Sequence, residues 1–333
     1  MVSAAACDSD VADADTDVGA EDVAGDTAGP DVHGDTADAP DSNDAMDVND
    51  LGPDVPAVTP APYATCPTGT RVGTFAVELQ ESYTTVLGSV MDAVRPADLL
   101  AETLAEGGCR LLVPPTLFCD PPCAGGTTCD ADGACVTTPS NQDAGLATLT
   151  GLKDPVEVSA KKPTYYYNFV GQLAHPGFEA GDVVTLSTAG GAAEPFSMTT
   201  RGVEPLEVGV DHMPLEAGEV STLTWTPAAA WPSVRMEVEV NIANHGGVPA
   251  KIVCEAEDTG TLDIPASIVD GLLAIGYSGF PSVRLTRQGA ATADSTLGCV
   301  DLRLISEVVL SVSIPGLVSC SSSDDCPDGQ TCQ

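Results

Sequence analysis

Two sets of residues in this chain of 333 have types and spacings that could carry chemistry: an isolated Asp-Thr-Gly and several clustered cysteines. Asp258-Thr259-Gly260 is the triplet of aspartic proteases, in which two facing carboxylates share a proton and activate water. The triplet occurs once, so a single chain supplies half of such a pair. We interpret it as a polar turn. The alternative is an acid-residue hydrolase centred near Asp258 and completed by a symmetric dimer.

Four of the 12 cysteines fall in one short run, Cys119-Asp-Pro-Pro-Cys123-Ala-Gly-Gly-Thr-Thr-Cys129-Asp-Ala-Asp-Gly-Ala-Cys135. Almost no apolar side chains accompany them, so this segment needs cross-links to hold its shape. A zinc site competes, but a tetrathiolate site normally uses Cys-x-x-Cys pairs, which this run lacks. We predict disulfides and favour Cys119 with Cys129 and Cys123 with Cys135, one of three connectivities.

A second, incomplete knot is predicted at residues 316–333. There the chain reads Cys320-Ser-Ser-Ser-Asp-Asp-Cys326-Pro-Asp-Gly-Gln-Thr-Cys332. We expect Cys320 and Cys332 to be disulfide-bonded, and Cys326 has no assigned partner. So many cysteines without a redox or zinc signature indicate an oxidising compartment.

Four further cysteines remain for the folded region. Cys66 and Cys109 flank the first predicted strand and helix, so we pair them with each other. Cys254 occupies an apolar position of its strand, and we pair it with Cys299 at the start of the last long strand. Two buried free thiols are the alternative for this second pair, because Cys299 shares strand parity with Asp301.

Exposed aromatic side chains are the best candidates for a binding surface. Trp231 lies in a Pro-rich loop, whereas Trp225 continues an alternating strand and is predicted to be core. Tyr165, Tyr166 and Tyr167 must place at least one ring on each face of their strand, so one or two rings should reach solvent. Because an exposed ring can stack on a sugar, Trp231 and the three tyrosines are the predicted surface-binding residues.

The charge of the chain is strongly negative and unevenly placed. It has 49 Asp and Glu against 12 Lys and Arg, a formal net charge of -37. The stretch before Arg71 is acidic, has no Lys or Arg, and has Tyr63 as its one aromatic residue. Its apolar surface is too small to offset the entropy of folding, so residues 8–65 are predicted to be a disordered acidic tether. Nucleic acid is not expected as a partner, because phosphate binding needs clustered Lys and Arg.

The first seven residues read Met-Val-Ser-Ala-Ala-Ala-Cys, with small residues before a cysteine. A bacterial lipoprotein signal ends in this way, and its cysteine becomes the lipidated N-terminus. We interpret residues 1–7 as the remnant of such a signal, without its apolar core, and Cys7 as the lipidation site. A cysteine near a flexible end is the alternative. Membrane contact is expected only through this lipid anchor, since no run of about twenty apolar residues occurs.

Residues 234–242 alternate apolar and polar side chains and give the clearest strand pattern of the chain. Such a strand buries one face, so we place it centrally in an antiparallel β-sandwich. Alternation over residues 300–314 is long for one strand and suggests a bent strand or two. Short helices are predicted at 96–106 and 265–274. The expected class is mainly β, with strands and a helix at 66–118, the Cys-rich knot at 119–139 and the sandwich at 140–315.

Five stretches and the two knots also carry a family resemblance. The stretches are Gly108-Cys-Arg-Leu-Leu, Phe118-Cys-Asp-Pro-Pro-Cys, Gln142-Asp-Ala-Gly-Leu-Ala-Thr-Leu-Thr-Gly-Leu, Leu223-Thr-Trp-Thr-Pro and Cys254-Glu-Ala-Glu-Asp-Thr-Gly. Together they resemble uncharacterised predicted lipoproteins of myxobacteria and related bacteria. The resemblance implies a surface or periplasmic lipoprotein with an acidic tether, and it carries no known activity.

These observations lead to one expected function. We expect a non-enzymatic cell-envelope or secreted lipoprotein that displays a β-sandwich binding surface. Its expected partner is an envelope polysaccharide or another protein. No catalytic residue, metal or cofactor is assigned, and a purely structural envelope component is a further alternative.

Overall fold

The computed structural model describes residues 59–241, 250–276 and 281–315, and strands dominate it. A 3-10 turn at Pro96–Asp98 lies between the second and third strands. The elements are, in chain order, β1 (Arg71–Leu79), β2 (Thr84–Val90), β3 (Ala101–Glu106), β4 (Cys109–Val113), β5 (Thr127–Cys129), β6 (Cys135–Thr137), β7 (Ala147–Thr150), β8 (Val156–Val158), β9 (Tyr167–Asn168), β10 (Val183–Thr188), β11 (Ser197–Arg201), β12 (His212–Pro214), β13 (Ser221–Thr224), β14 (Val234–Asn241), β15 (Lys251–Ala256), β16 (Thr261–Ile264), α1 (Ala266–Ile275), β17 (Ser282–Asp294) and β18 (Cys299–Ser313).

One large sheet organises the fold. Its strand order is β3-β4-β15-β14-β17-β18-β1-β2-β9, and β12 also pairs with β18. A four-stranded sheet, β11-β10-β7-β8, packs against part of it in a sandwich-like arrangement. The predicted mainly β sandwich is therefore confirmed. Two pairs depart from the antiparallel prediction, because β1 and β12 both run parallel to β18.

The strand predicted to be central has neighbours on both sides. β14 pairs with β15 and β17, and its side chains alternate strictly between buried and partly exposed. Val234, Met236, Val238 and Val240 point into the core. The period-two pattern of this segment thus identified both the strand and its buried face.

The large sheet carries two hydrophobic cores along one face. The first core lies between β1, β2, β18 and the four-stranded sheet. The second lies where α1, β13 and β16 cover β14, β15 and the start of β17. β18 is one continuous strand that serves both, with Leu302 in the first core and Leu310 in the second. Each buried side chain of this size contributes about 1.5–3 kcal/mol.

The two sheets approach closely where β11 crosses β17. A Cβ atom at Gly289 would lie 2.1 Å from the carbonyl oxygen of Arg201, which is far inside contact distance. Only a residue without a side chain fits there. Gly289 stands between the two cores on β17, so it sets how closely the four-stranded sheet packs.

The helix predicted at 96–106 is wrong. Only the 3-10 turn forms, and residues 101–106 become the exposed edge strand β3. β3 pairs with β4 across Gly107 and Gly108, which have φ of 59° and 81°. Two consecutive positive φ values suit a tight hairpin turn, and pairing with β4 overrides the helix propensity of Ala, Leu and Glu. The second predicted helix is confirmed as α1.

The predicted segments 66–118 and 140–315 share the large sheet. β1 pairs with β18 and β4 pairs with β15, so strands from the first segment are inserted beside strands from the second. The knot between them contains the β5–β6 hairpin. Of the predicted tether over 8–65, residues 8–58 lie outside the described residues, as does the incomplete knot at 316–333. Its last residues, 59–65, are described, and Tyr63 among them is bonded to Gln288 and Pro232.

The disulfides in the first knot have the favoured connectivity, Cys119 with Cys129 and Cys123 with Cys135. Three of these sulfurs lie within 4.8 Å of one another. Metal binding requires the thiolate, and all of them are oxidised, so the zinc alternative does not apply to this knot.

The other two predicted pairings are wrong. The structure joins Cys66 to Cys299 and Cys109 to Cys254. Cys109 and Cys254 face each other in register between β4 and β15, with their Cα atoms 4.0 Å apart. Cys66 precedes β1, whose parallel pairing with β18 brings the starts of both strands together. Cys320 and Cys332 lie outside the described residues.

Candidate functional site

Asp258 is held in a buried ion pair. Its Oδ2 lies 2.7 Å from Nε of Arg287, and the two side chains are 4% and 2% exposed. Trp225 donates its indole N–H to Oδ1 at 2.7 Å, and the backbone N–H of Ala228 donates to Oδ2. Every oxygen of the carboxylate therefore has a donor, as a buried charge requires.

Arg287 is equally well satisfied. Its guanidinium also donates to the carbonyl oxygens of Pro205 and Thr226. A protease carboxylate shares a proton with a second carboxylate, whereas Asp258 faces a permanent cation. The Asp-Thr-Gly triplet is thus a structural site, in which Asp258 faces Arg287 rather than a second carboxylate of the described residues.

Trp231, which was predicted to be a surface-binding residue, lies against the first core. Its ring is partly buried there. The guanidinium of Arg201 lies over it, 4.6 Å from the ring centroid, in a cation–π contact. Trp231 is therefore partly exposed, with one face of its ring covered by Arg201. Trp225 is buried, as predicted.

The three consecutive tyrosines have different roles. Tyr167 is buried: its hydroxyl accepts from the N–H of Ala144 and donates to the carbonyl of Gly145. Burial, together with the nearby charge of Asp143, raises the pKa of Tyr167 to about 12. Tyr165 is partly exposed and has φ of 52°. Tyr166 is 52% exposed, so one full ring reaches solvent.

Tyr166 borders an open groove of about 540 Å³ between β1, β2 and β9. Gly88 lines the groove through its backbone, since its missing Cβ would face the core and meet the ring of Phe75 at 2.4 Å. Leu87 is exposed beside it, and Lys161 and Asn168 supply a cation and an amide. Sequence reasoning identified the tyrosine but missed the groove. The available signal was Leu87, an apolar residue on the otherwise polar face of β2.

A second cavity, of about 730 Å³, continues from this groove. Thr74 and Ser89 line both. The second cavity lies on the outer face of the large sheet, which we define as the face opposite the two cores, carrying Glu237, Gln288 and Arg303. We call it the charged cleft, since most of its side chains from β4, β14 and β15 are Arg, Lys or Glu.

One buried carboxylate, that of Asp301, contacts two of the basic side chains that line the charged cleft. Asp301 is fully buried and lies 3.0 Å from Arg303 and 3.7 Å from Arg71. It also accepts from the backbone N–H of Cys66 at 2.7 Å. The neighbouring disulfide between Cys66 and Cys299 fixes that backbone, so the chain entering β1 and the floor of the cleft are held as one unit.

Tyr63 ties the N-terminal segment across the outer face. Its hydroxyl accepts from the side-chain amide of Gln288 at 2.9 Å, and its backbone N–H donates to the carbonyl of Pro232. Burial, reinforced by the charge of Glu237, raises the pKa of Tyr63 well above its usual range. Gln288 is completely buried as a result.

Comparisons with known proteins add little. No family model and no curated protein matches the chain. The structure titled "Crystal structure of chicken CNTN1 FN1-FN3 domains" is 8% identical, and the match covers 65% of each chain with a TM-score of 0.17. A likeness at that level carries no inference about fold or function. Within the described residues, no helix has the length and apolar character to cross a bilayer.

Proposed function

We propose that this protein is a non-enzymatic cell-envelope or secreted protein that binds an envelope polysaccharide in the groove beside Tyr166. The observation that supports it is the half-exposed ring of Tyr166 at the edge of an open groove. An exposed aromatic face suits the C–H face of a sugar. Lys161 and Asn168 at the rim would hydrogen-bond hydroxyls and orient it.

The proposed location rests on the cysteines and the N-terminal sequence. Four disulfides in the described residues favour an oxidising compartment. Cys7 lies outside those residues and is proposed as the site of a lipid anchor. Expressed with a complete signal, the protein should enter the membrane fraction and leave it on Cys7→Ala. Unchanged fractionation would remove the anchor from the proposal.

Binding is tested by co-sedimentation with insoluble envelope polysaccharide. Tyr166→Ala should weaken the apparent affinity by up to about tenfold, the effect of losing one aromatic contact of about 1.4 kcal/mol. Tyr83→Ala is the matched control, because Tyr83 is 56% exposed but lies outside the groove. Equal binding by both variants would contradict the proposal. Binding that survives glycosidase but not protease treatment of the envelope would assign a protein partner instead.

A further inference from the structure

The charged cleft extends the groove beside Tyr166, and its lining carries information about the ligand. We propose that the polysaccharide bound there bears both amino and carboxylate groups, so that it is zwitterionic. This inference rests on the proposed function and names the class of glycan. The continuity of the two cavities through Thr74 and Ser89 is the starting point, because one extended ligand can occupy both.

The charge of the cleft departs from that of the chain. The whole sequence has about four acids for every base, 49 against 12. Five of those 12 bases line the cleft: Arg71, Arg95, Arg110, Lys251 and Arg303. Four acids line it with them: Asp98, Glu237, Glu239 and Glu255. The lining is therefore close to neutral while being densely charged.

The opposite charges alternate at close range on neighbouring strands. Arg110 lies 3.2 Å from Glu255, and Lys251 lies 2.6 Å from Glu239. The members of the first pair are 42% and 40% exposed. Exposed pairs of this kind contribute little to stability, but they offer a donor and an acceptor side by side. A ligand ammonium can contact the glutamate while a ligand carboxylate contacts the arginine.

Other ligand charges fit less well. A polyanion would approach a chain of net charge -37 and meet the cleft's own acids, and both effects oppose binding. A polycation would meet five basic side chains. A neutral glycan would leave both sets of charges without ligand partners. A zwitterionic glycan can pair with both the acidic and the basic side chains of the cleft, and charge-assisted hydrogen bonds strengthen its binding.

Isothermal titration of the full chain with soluble peptidoglycan fragments tests this. The probes are a disaccharide carrying a peptide stem with free amino and carboxylate groups, the same fragment N-acetylated, the same fragment with its carboxylates amidated, and the bare disaccharide. The intact fragment should bind about tenfold more tightly than each of the others, since each lacks at least one charge-assisted contact. Added salt should reduce that advantage.

Variants test whether the affinity advantage of the intact fragment arises in the cleft. Arg110→Gln and Glu255→Gln should each remove most of the advantage, and Arg95→Gln, in an exposed turn, is a further variant with little risk to folding. Arg284→Gln is the matched control, because Arg284 is 52% exposed, pairs with Glu307 at 3.4 Å and does not line the cleft. Thermal unfolding of each variant checks that it is folded.

The outcomes separate this inference from the proposed function. Equal affinity for the bare disaccharide and the intact fragment would overturn the zwitterion and leave the polysaccharide function standing. Tighter binding of the N-acetylated fragment would also overturn it, because it would show a preference for anions. If Arg110→Gln and Arg284→Gln reduced the affinity advantage of the intact fragment equally, the charge recognition would lie outside the cleft. No binding of any fragment, with no effect of Tyr166→Ala on polysaccharide, would overturn both.

Discussion

Arg287 and Asp258 form a bidentate ion pair at the boundary between the two cores of the large sheet, with Nε to Oδ2 at 2.7 Å and Nη2 to Oδ1 at 3.3 Å. Arg287 follows Leu285 of the second core on the inner face of β17 and precedes Ala291 of the first. The pair therefore lies between the two cores, with Trp225 of the second core bonded to Asp258 at 2.7 Å.

Removing one partner should destabilise the protein strongly. Asp258→Ala leaves a buried guanidinium without its counter-charge, so we expect a loss of about 3–5 kcal/mol in the free energy of unfolding. Urea denaturation measures it. Glu257→Ala is the control, because Glu257 is 77% exposed and 3.9 Å from Arg235, and it should change stability by less than about 1 kcal/mol. Similar values for both variants would show that the buried pair is not structural.

The disulfide connectivity is a second prediction. Non-reducing peptide mapping should recover peptides that link Cys66 with Cys299 and Cys109 with Cys254. Replacing both Cys109 and Cys254 by Ala should cost up to about 5 kcal/mol in the chain-entropy model, because the bond closes a loop between residues 145 apart. A peptide that links Cys254 with Cys299 would contradict the structure.

Gly289→Ala should force the two sheets apart. The new Cβ would stand 2.1 Å from the backbone carbonyl of Arg201, and overpacking of this kind costs about 1–3 kcal/mol. Gly209→Ala is the control, since a Cβ there meets nothing within 4 Å, and it should lie within about 0.5 kcal/mol of the original protein. Thermal unfolding of the two variants decides it, and equal melting temperatures would contradict the close approach.

The raised pKa of Tyr167 predicts that the free energy of unfolding falls at alkaline pH. Its pKa is raised from 10.0 to about 12 in the folded chain, chiefly by burial. A raised folded-state pKa means that its contribution is complete below pH 10 and is lost as the pH rises through about 12. Tyr167→Phe should flatten the fall in unfolding free energy over that window, whereas Tyr83→Phe should leave it unchanged. The same pH dependence in Tyr167→Phe and the original protein would contradict this assignment.

Local sequence patterns determined much of the fold. The alternation of residues 234–242 identified β14 and its buried face, because side-chain direction in a strand depends only on parity. The four cysteines at 119–135 lie so close in sequence that their segment could be assigned its disulfides. The run before Ile275 has a helical period and formed α1. Each of these features is decided within about twenty residues.

Tertiary structure decided the features that join distant residues. Cys66 pairs with Cys299 across 233 positions only because β1 runs parallel to β18, and the register of two distant strands is not encoded by either one alone. Residues 101–106 have helix-forming side chains, yet pairing with β4 makes them a strand. Trp231 is packed because β11 brings Arg201 over its ring.

The candidate site divides in the same way. The sequence predicts one strand through the three tyrosines, with neighbouring rings on opposite faces, but β9 begins at Tyr167, and Tyr165 has φ of 52°. The pairing of β9 with β2 positions the buried Tyr167, and Tyr166, just before the strand, borders the groove. The charged cleft brings residue 71 beside residues 110, 251 and 303. Its charge balance is a property of the assembled sheet, because the sequence separates these side chains by up to 232 positions and only strand order brings them to one face.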